Sequence, residues 1–327
     1  MKKLIQIKKQ SSSNYRVVDW VIHDVCNYRC SFCSSEYWAG KNRWLELDQY
    51  KAIIDNISKQ SREIDGKPVW FKITGGEPTL YPKLDQLLAY IKSKGDFTYL
   101  HSNGSRTIRW WKEVAELELL DIINLTYHPQ QTNDMQHIID VVQYFQNYPT
   151  FVQITVTCPV DFFDEAVIAH NYFLNNLVTL SNLQQINDNL GMSKYTDEQV
   201  KILKQGSMKA SKDYKMKKMP WKVPTEYTYS NGKMELIYDD HSTEITDAVN
   251  VIKRQLDNFN NWNCDIGIEM IRIVSDVVYR GNCKVGESWG VYEPNMFKTE
   301  PITCTKSTCT CTLDLIQAKK LISKFDK

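Results

Sequence analysis

Three thiols stand within eight positions in Cys26-Asn-Tyr-Arg-Cys30-Ser-Phe-Cys33. Cysteine thiolates are soft ligands, suited to zinc or to iron–sulfur clusters. Three of them at CxxxCxxC spacing do not close a tetrahedral structural zinc site, which needs a fourth ligand such as His23. They can hold three corners of a [4Fe–4S] cubane, a cluster that ordinarily takes four thiolates, and so leave one iron open to a ligand that is not protein. An open iron is a reaction site, whereas a zinc knot only ties the chain down. Five further cysteines, Cys264, Cys283, Cys304, Cys309 and Cys311, crowd the C-terminal part of the chain. They suffice for one fully ligated cluster, but not for two, and a structural zinc is the alternative.

The whole-chain numbers limit what else the protein can be. Its 327 residues are enough for one large α/β domain and a smaller appendage. Lys+Arg total 40 against 39 Asp+Glu, a formal charge of +1, so no global field draws the chain to nucleic acid or an anionic membrane. The N-terminal MKKLIQIKKQSSS has lysines but no apolar core or cleavage site of a secretory signal, and the longest apolar runs are strand-sized. A cytoplasmic protein is expected. In such a chain nine cysteines speak for metal or redox chemistry rather than disulfides.

The elements that must position the thiols follow from periodicity. Val17 to His23 reads as a buried strand that runs into the cysteine loop. Tyr50, Ile53, Ile54 and Ile57 then make one helical stripe, Val69 to Thr74 a strand, and Leu84, Leu87, Leu88 and Ile91 a second stripe that Gly95 caps. The alternation continues: strand Phe97 to His101, helix 107–119, strand Asp121 to Tyr127, helix 134–147, strand Phe151 to Thr157, helix 162–175 and a strand within 178–187. Thr196-Asp-Glu-Gln199 is a capping box opening another helix. Such a series predicts a parallel sheet with right-handed crossovers and all post-strand loops on one rim. Beyond it, residues 201–222 hold eight lysines and read as a linker or flap. Tyr227 to Tyr229 and Met234 to Tyr238 read as a hairpin turning at Ser230-Asn-Gly232, and Ile268 to Val274 with Val277 to Tyr279 as another. The expected domains are 1–205, 206–260 and 261–327.

Three strand ends together resemble the radical SAM superfamily: CNYRCSFC after the first strand, Lys72-Ile-Thr-Gly-Gly-Glu-Pro78 after the second, and His101-Ser-Asn-Gly104 after the third. The resemblance covers about residues 17–190 and implies an α/β fold, a partial (β/α)6 TIM-like barrel with a small C-terminal cysteine-rich α+β domain. It implies a [4Fe–4S] cluster on Cys26, Cys30 and Cys33 whose open iron takes S-adenosyl-L-methionine. By the same resemblance Phe32 lies near the adenine, Gly75, Gly76, Glu77 and Pro78 meet the methionyl group, and Ser102 and Asn103 approach the ribose or carboxylate. The implied reaction is reductive cleavage of the cofactor to a 5′-deoxyadenosyl radical that abstracts hydrogen from the substrate. The family's adenine motif near strand five is not evident in Phe151-Val-Gln-Ile-Thr-Val156. The C-terminal cysteines resemble a SPASM or twitch extension, with four of the five on an auxiliary [4Fe–4S] cluster, although Cys304-x4-Cys309-x-Cys311 departs from the usual pattern.

Two residues carry additional chemistry in this reading. Cys158, at a strand end, is a candidate hydrogen-atom donor, and His128, in Leu125-Thr-Tyr-His-Pro129, a candidate acid/base or substrate contact. The first function considered is oxidation, isomerisation or epimerisation of a small metabolite, a sugar, cyclitol or nucleotide. Modification of a ribosomal peptide or protein side chain is the second; the start of the barrel near residue 17 leaves no room for a leader-binding domain. A non-catalytic iron–sulfur or zinc redox sensor is the third. The implied partners are a substrate and a flavodoxin- or ferredoxin-type electron donor, not a membrane or nucleic acid.

Overall fold

The computed structural model describes residues 2–9, 14–33, 37–41, 43–132, 134–186, 195–206, 209–213, 233–309 and 311–322. In chain order, β1 (Leu4–Lys9) is followed by β2 (Arg16–Val21), α1 (Leu47–Asp65), β3 (Val69–Thr74), α2 (Leu84–Ser93), β4 (Phe97–Ser102) and α3 (Ile108–Glu116). Then come β5 (Ile122–Tyr127), α4 (Met135–Phe145), β6 (Phe151–Cys158), α5 (Phe163–Asn176), β7 (Leu180–Gln185), α6 (Asp197–Gly206) and the short β8 (Lys209–Ala210). The rest comprises β9 (Lys233–Tyr238), β10 (Thr243–Asp247), α7 (Ala248–Lys253), β11 (Trp262–Cys264), β12 (Met270–Val274), β13 (Val277–Tyr279), β14 (Trp289–Gly290), β15 (Ile302–Thr303), α8 (Thr312–Leu315) and β16 (Lys319–Leu321).

These elements form two compact units. One comprises Trp20–Lys51 and Phe71–Lys218, the other Met1–Asp19, Ala52–Trp70 and Met219–Lys327. In place of three consecutive domains, the N-terminal segment clusters with the C-terminal one. The cause is backbone pairing: β1 bonds antiparallel to both β9 and β16, in a sheet ordered β10-β9-β1-β16-β11-β15.

In the first unit the strands run β2-β3-β4-β5-β6-β7 in sequential order, with β4 through β7 in parallel register. Sequential order with a helix after each strand is the winding of a partial (β/α)6 barrel. The strands show why. In β6, Ile154, Val156 and Cys158 alternate with Gln153, Thr155 and Thr157, yet all six are buried. The apolar set packs under the helices, and the polar set lines the inner face. On β5, Tyr127 meets Phe173 of α5 edge to face, while Asn124 and Thr126 point the other way.

Local capping agrees with the sequence. Thr196 and Gln199 form a reciprocal capping box: the Gln199 N–H donates to Thr196 Oγ1 at 3.2 Å, and the Thr196 N–H to Gln199 Oε1 at 2.9 Å. Gly95 sits at φ +72° just past α2, where a left-handed residue ends the helix. Trp111 is buried in the face of α3 and donates to the Gly104 carbonyl at 3.4 Å, a packing role.

Two expectations change. Residues 201–206 belong to α6, with Leu203 buried, and Lys209–Ala210 to β8, rather than to a flap; residues 207–208 and 214–222 of the lysine-rich stretch lie outside the described residues. The Tyr227 to Tyr229 strand and the Asn231-Gly232 turn lie outside them too. Met234 to Tyr238 is a strand, but its described partners are β1 and β10. The β9–β10 turn lacks glycine; Asp240 accepts from the Ser242 N–H at 3.0 Å, and His241 takes the left-handed φ of +63°. The hairpin β12–β13 forms as expected.

Candidate active site

The end of β2 delivers the thiols. Tyr50 of α1 donates its hydroxyl to the Ile22 carbonyl at 2.8 Å and accepts the Leu45 N–H at 3.1 Å, fixing where the strand stops. The loop then turns on itself, with the Cys33 N–H donating to the Cys30 carbonyl at 3.1 Å and Arg29 donating to the Cys26 and Tyr28 carbonyls at 2.5 and 2.8 Å. Its outer edge is held by the loop after β5. Gln131 accepts the Arg29 N–H at 3.1 Å and Gln130 the Ser31 N–H at 3.0 Å. These two glutamines carry no signal in the sequence.

All three thiols open onto one cavity of about 190 Å³, shared with Phe32, Gly75, Gly76, Glu77, Ser102, Asn103 and His128. Burial pushes Cys30 up to about 12, helped by the neighbouring Cys33 and Cys26, and pushes Cys33 up to about 11, helped by Cys26. Burial likewise raises Cys26. Three thiols that resist ionisation because they are sheltered and mutually repulsive are a donor set that a bound cationic centre would relieve. By its chemistry the trio suits a three-cornered cubane, although among the described residues no three ligand side chains, these included, stand together as a formed metal site.

The turn after β3 packs against the chain entering this loop. Its Gly76 N–H donates to the His23 carbonyl at 2.9 Å and its Glu77 N–H to the Val25 carbonyl at 2.8 Å. A Cβ on Gly75 would lie 2.4 Å from the His23 oxygen, and one on Gly76 2.1 Å from the Val25 oxygen. The glycines are therefore demanded by packing of two backbones, not only by the approach of a ligand.

Glu77 lines the cavity, and its side chain has a structural task besides. It is 1% exposed, and its carboxylate accepts from the Thr79 N–H and hydroxyl at 3.0 and 2.6 Å, the Ser102 hydroxyl at 2.8 Å and the Asn103 N–H at 2.6 Å. The carboxylate joins the ends of β3 and β4. Burial pushes its pKa up against the pull of these donors. Pro78 is buried in the single helical turn that follows. Asn103 reaches back to the cysteine loop, donating to Asn27 at 2.9 Å.

His128 sits against the thiols, with Nδ1 3.4 Å from Cys30 Sγ and its ring parallel to Phe32 at 6.2 Å. Burial holds its pKa down to about 4. Cys158 stands apart from this group. It is fully buried, its sulfur faces the Phe163 carbonyl at 3.9 Å, and it is not among the residues lining the cavity. Its position on β6 turns it to the helix side, the apolar half of the alternation. The lining also includes Tyr28, Tyr37, Trp38, Thr74, His101 and Thr126, which the sequence did not single out; His101 and Thr126 continue the inner-face alternation below Asn103 and His128, which was the available signal. His23, the fourth ligand of the zinc alternative, is fully buried beside Trp44, and burial lowers its pKa to about 4.

The sequence of residues 20–134 matches the family model described as the radical SAM superfamily. Residues 20–134 form a radical SAM domain. The match covers about a third of the chain, and the family it names implies the [4Fe–4S] cluster and S-adenosylmethionine for which the three thiols are suited. A probable GTP 3′,8-cyclase of Pyrobaculum aerophilum is 32% identical over 96 residues, 29% of this chain and 29% of that protein. A 7-carboxy-7-deazaguanine synthase of Haemophilus influenzae is 25% identical over 182 residues, 52% of this chain and 75% of that one. The chain thus spans under a third of the cyclase. Among solved structures, Streptococcus suis SuiB bound to S-adenosylmethionine is 16% identical with a TM-score of 0.43, over 58% of this chain and 43% of that one. No helix among the described residues is long and apolar enough to cross a membrane.

Outside the radical SAM domain, the C-terminal cysteines gather in the second unit. Cys264 ends β11; the Cys304 N–H donates to the Trp262 carbonyl at 2.7 Å, and the Cys283 N–H to Asp314 at 2.6 Å. Burial raises Cys264 and Cys283, and pushes Cys309 up to about 12; Cys304 and Asp314 add to the rise at Cys264, Asp314 and Cys309 to that at Cys283, and Asp314, Cys264 and Cys311 to that at Cys309. A buried ammonium stands among them: Lys319 donates to the carbonyls of Asp314, Leu315 and Gln317 at 2.6, 2.9 and 3.0 Å. These thiols feel one another, but among the described residues no three His, Cys, Asp or Glu side chains converge as a metal-ligating group.

Proposed function

We propose that the protein is a radical SAM enzyme acting on a small metabolite of the sugar, cyclitol or nucleotide kind. The observation that carries this is the sharing of one cavity by the Cys26, Cys30 and Cys33 thiols, the Gly75-Gly76 turn and the Ser102-Asn103 strand end. Cys26, Cys30 and Cys33 would hold the [4Fe–4S] cluster. When bound, the cluster supplies one electron to S-adenosylmethionine, whose cleavage yields the hydrogen-abstracting 5′-deoxyadenosyl group.

The chain's own residues prepare that event. Phe32 offers an apolar face, the Gly75-Gly76 backbone and Asn103 offer polar groups, and Glu77 keeps the two strand ends in register. The Tyr28 ring meets His128 edge to face at 5.6 Å and flanks the cavity. His128, neutral because it is buried, is suited to contacting the substrate rather than carrying charge. Relatives named for GTP and for a deazaguanine favour the nucleotide among the three substrate kinds. An auxiliary cluster on four of Cys264, Cys283, Cys304, Cys309 and Cys311 is part of this reading, as is a flavodoxin- or ferredoxin-type donor in the cytoplasm.

The test is anaerobic turnover with dithionite and S-adenosylmethionine, adding in turn GTP, myo-inositol, glucose and a ribosomally made peptide. A rise in 5′-deoxyadenosine with one of the small compounds is expected. A rise with the peptide alone contradicts the reading.

A further inference from the structure

Behind the cavity wall the barrel unit carries a polar layer that the cluster chemistry leaves unused. His101 and Thr126 line the cavity, and Asn124, 3% exposed, stands behind both. The Asn124 carboxamide is fixed from two sides. Its Oδ1 accepts the Thr155 hydroxyl at 2.9 Å, and its Nδ2 lies 3.1 Å from His101 Nδ1 and 3.5 Å from Thr126 Oγ1. With the carboxamide oriented so that Oδ1 accepts from Thr155, its nitrogen donates, His101 Nδ1 accepts and the ring proton sits on Nε2. Beneath, Tyr99 stacks on His101 at 4.6 Å and accepts from Gln153 at 2.8 Å.

The chemistry of this face is specific. No Asp, Glu, Lys or Arg occupies the alternate positions of β4 to β7 that share it. The cation on the same face of β3, Lys72, has its own interactions. A charged group seated against β4 to β7 would lose its hydration with no counter-charge from those strands, whereas hydroxyls, carbonyls and amides would exchange water for equivalent partners.

We infer that His101 and Thr126, oriented by Asn124, form the substrate-binding wall of the cavity, and that it takes an uncharged ring bearing several hydrogen-bonding groups. The inference rests on the proposal that this cavity is the reaction site. His101 donates through Nε2–H to an oxygen of the ring, Thr126 offers a hydroxyl, and Asn124 is a positioning residue that sets the imidazole tautomer. The ring can belong to a nucleobase or to a polyol.

Calorimetric titration of the reconstituted full chain with S-adenosylmethionine distinguishes these cases, using uridine, guanosine, glucose and myo-inositol, with orotidine and glucuronate as carboxylated counterparts of uridine and glucose. At least one neutral ring is expected to bind, and a carboxylated counterpart to bind on the order of tenfold more weakly than its neutral parent. Binding of the nucleosides alone assigns a nucleobase, and binding of glucose or inositol alone a polyol. Asn124→Asp replaces the donor by an acceptor, moves the ring proton to Nδ1 and withdraws the Nε2 donor, so the affinity should fall about tenfold. His101→Leu should do the same, while His101→Gln, which keeps a donor, should retain most of the affinity. Iron content and thermal midpoint control for folding, and Thr155→Val, which frees the carboxamide, carries the test if Asn124→Asp does not fold. Equal affinity for a neutral and carboxylated pair, an unchanged affinity in Asn124→Asp, or no binding of any neutral ring up to roughly 10 mM would overturn the inference. Failure to form 5′-deoxyadenosine would instead sink the catalytic reading and leave the binding result standing.

Discussion

The Glu77 carboxylate accepts the Asn103 backbone N–H at 2.6 Å, across the ends of two neighbouring strands and away from solvent. With the bonds from Ser102 and Thr79, it turns a residue of the Gly-Gly-Glu turn into a clamp that sets where the next strand end lies. Glu77→Ala leaves buried donors unpaired, each costing about 1–3 kcal/mol, so a loss of roughly 3 kcal/mol or more is expected in urea denaturation. Glu77→Gln keeps acceptors for Thr79 and Ser102 and should lose less. Equal stability of Glu77→Ala and the parent would mean that the carboxylate is a ligand contact instead.

Cys158 should behave as packing. Cys158→Ala removes one buried sulfur and is expected to lower stability by about 1 kcal/mol while leaving product identity and the 5′-deoxyadenosine yield unchanged. An altered product would restore the hydrogen-donor role.

The C-terminal thiols should account for iron of their own. In Cys264→Ala/Cys283→Ala/Cys309→Ala, too few thiols remain for a four-thiolate cluster, so iron per chain should fall by about four atoms, while the N-terminal cluster stays. Zinc in the parent, lost in this variant without any change in iron, would identify a structural metal.

His170 gives the stability a pH dependence away from any thiol. It is 3% exposed, hydrogen-bonded through Nδ1 to Ser181 at 2.8 Å, and held down to about 4, by burial first and by Lys209 second. The unfolded chain takes up this proton below its ordinary value of 6.5, the folded chain only near 4. The contribution is therefore complete above the ordinary value and is lost as the pH falls towards the folded one, by about 3 kcal/mol in all. In His170→Gln, denaturation midpoints measured across that window should flatten. An unchanged slope would assign the dependence elsewhere.

Much of this was legible because the apolar periods of the barrel unit are unambiguous; the stripe of Leu84, Leu87, Leu88 and Ile91 is buried as read. The polar half of β6 was not read as a wall, since Gln153, Thr155 and Thr157 in alternation look like a solvent-facing row, and only the curvature of the sheet buries them. Strand β1 was missed because LIQIKK is short and lysine-rich, and its partners lie more than two hundred residues away. The hold of Gln130 and Gln131 on the cysteine loop has no local sequence signature. Gly75 and Gly76 were found, but the backbone they must clear was visible only in three dimensions.

The central claim is that Cys26, Cys30 and Cys33 hold a cluster with one open corner. Electron paramagnetic resonance of the anaerobically reconstituted, dithionite-reduced protein, recorded with and without S-adenosylmethionine, tests it most directly. The account predicts a reduced-cluster signal that shifts when S-adenosylmethionine is added and is absent from Cys26→Ala/Cys30→Ala/Cys33→Ala, which also forms no 5′-deoxyadenosine. A colourless protein, or a signal indifferent both to S-adenosylmethionine and to loss of the three cysteines, would contradict it.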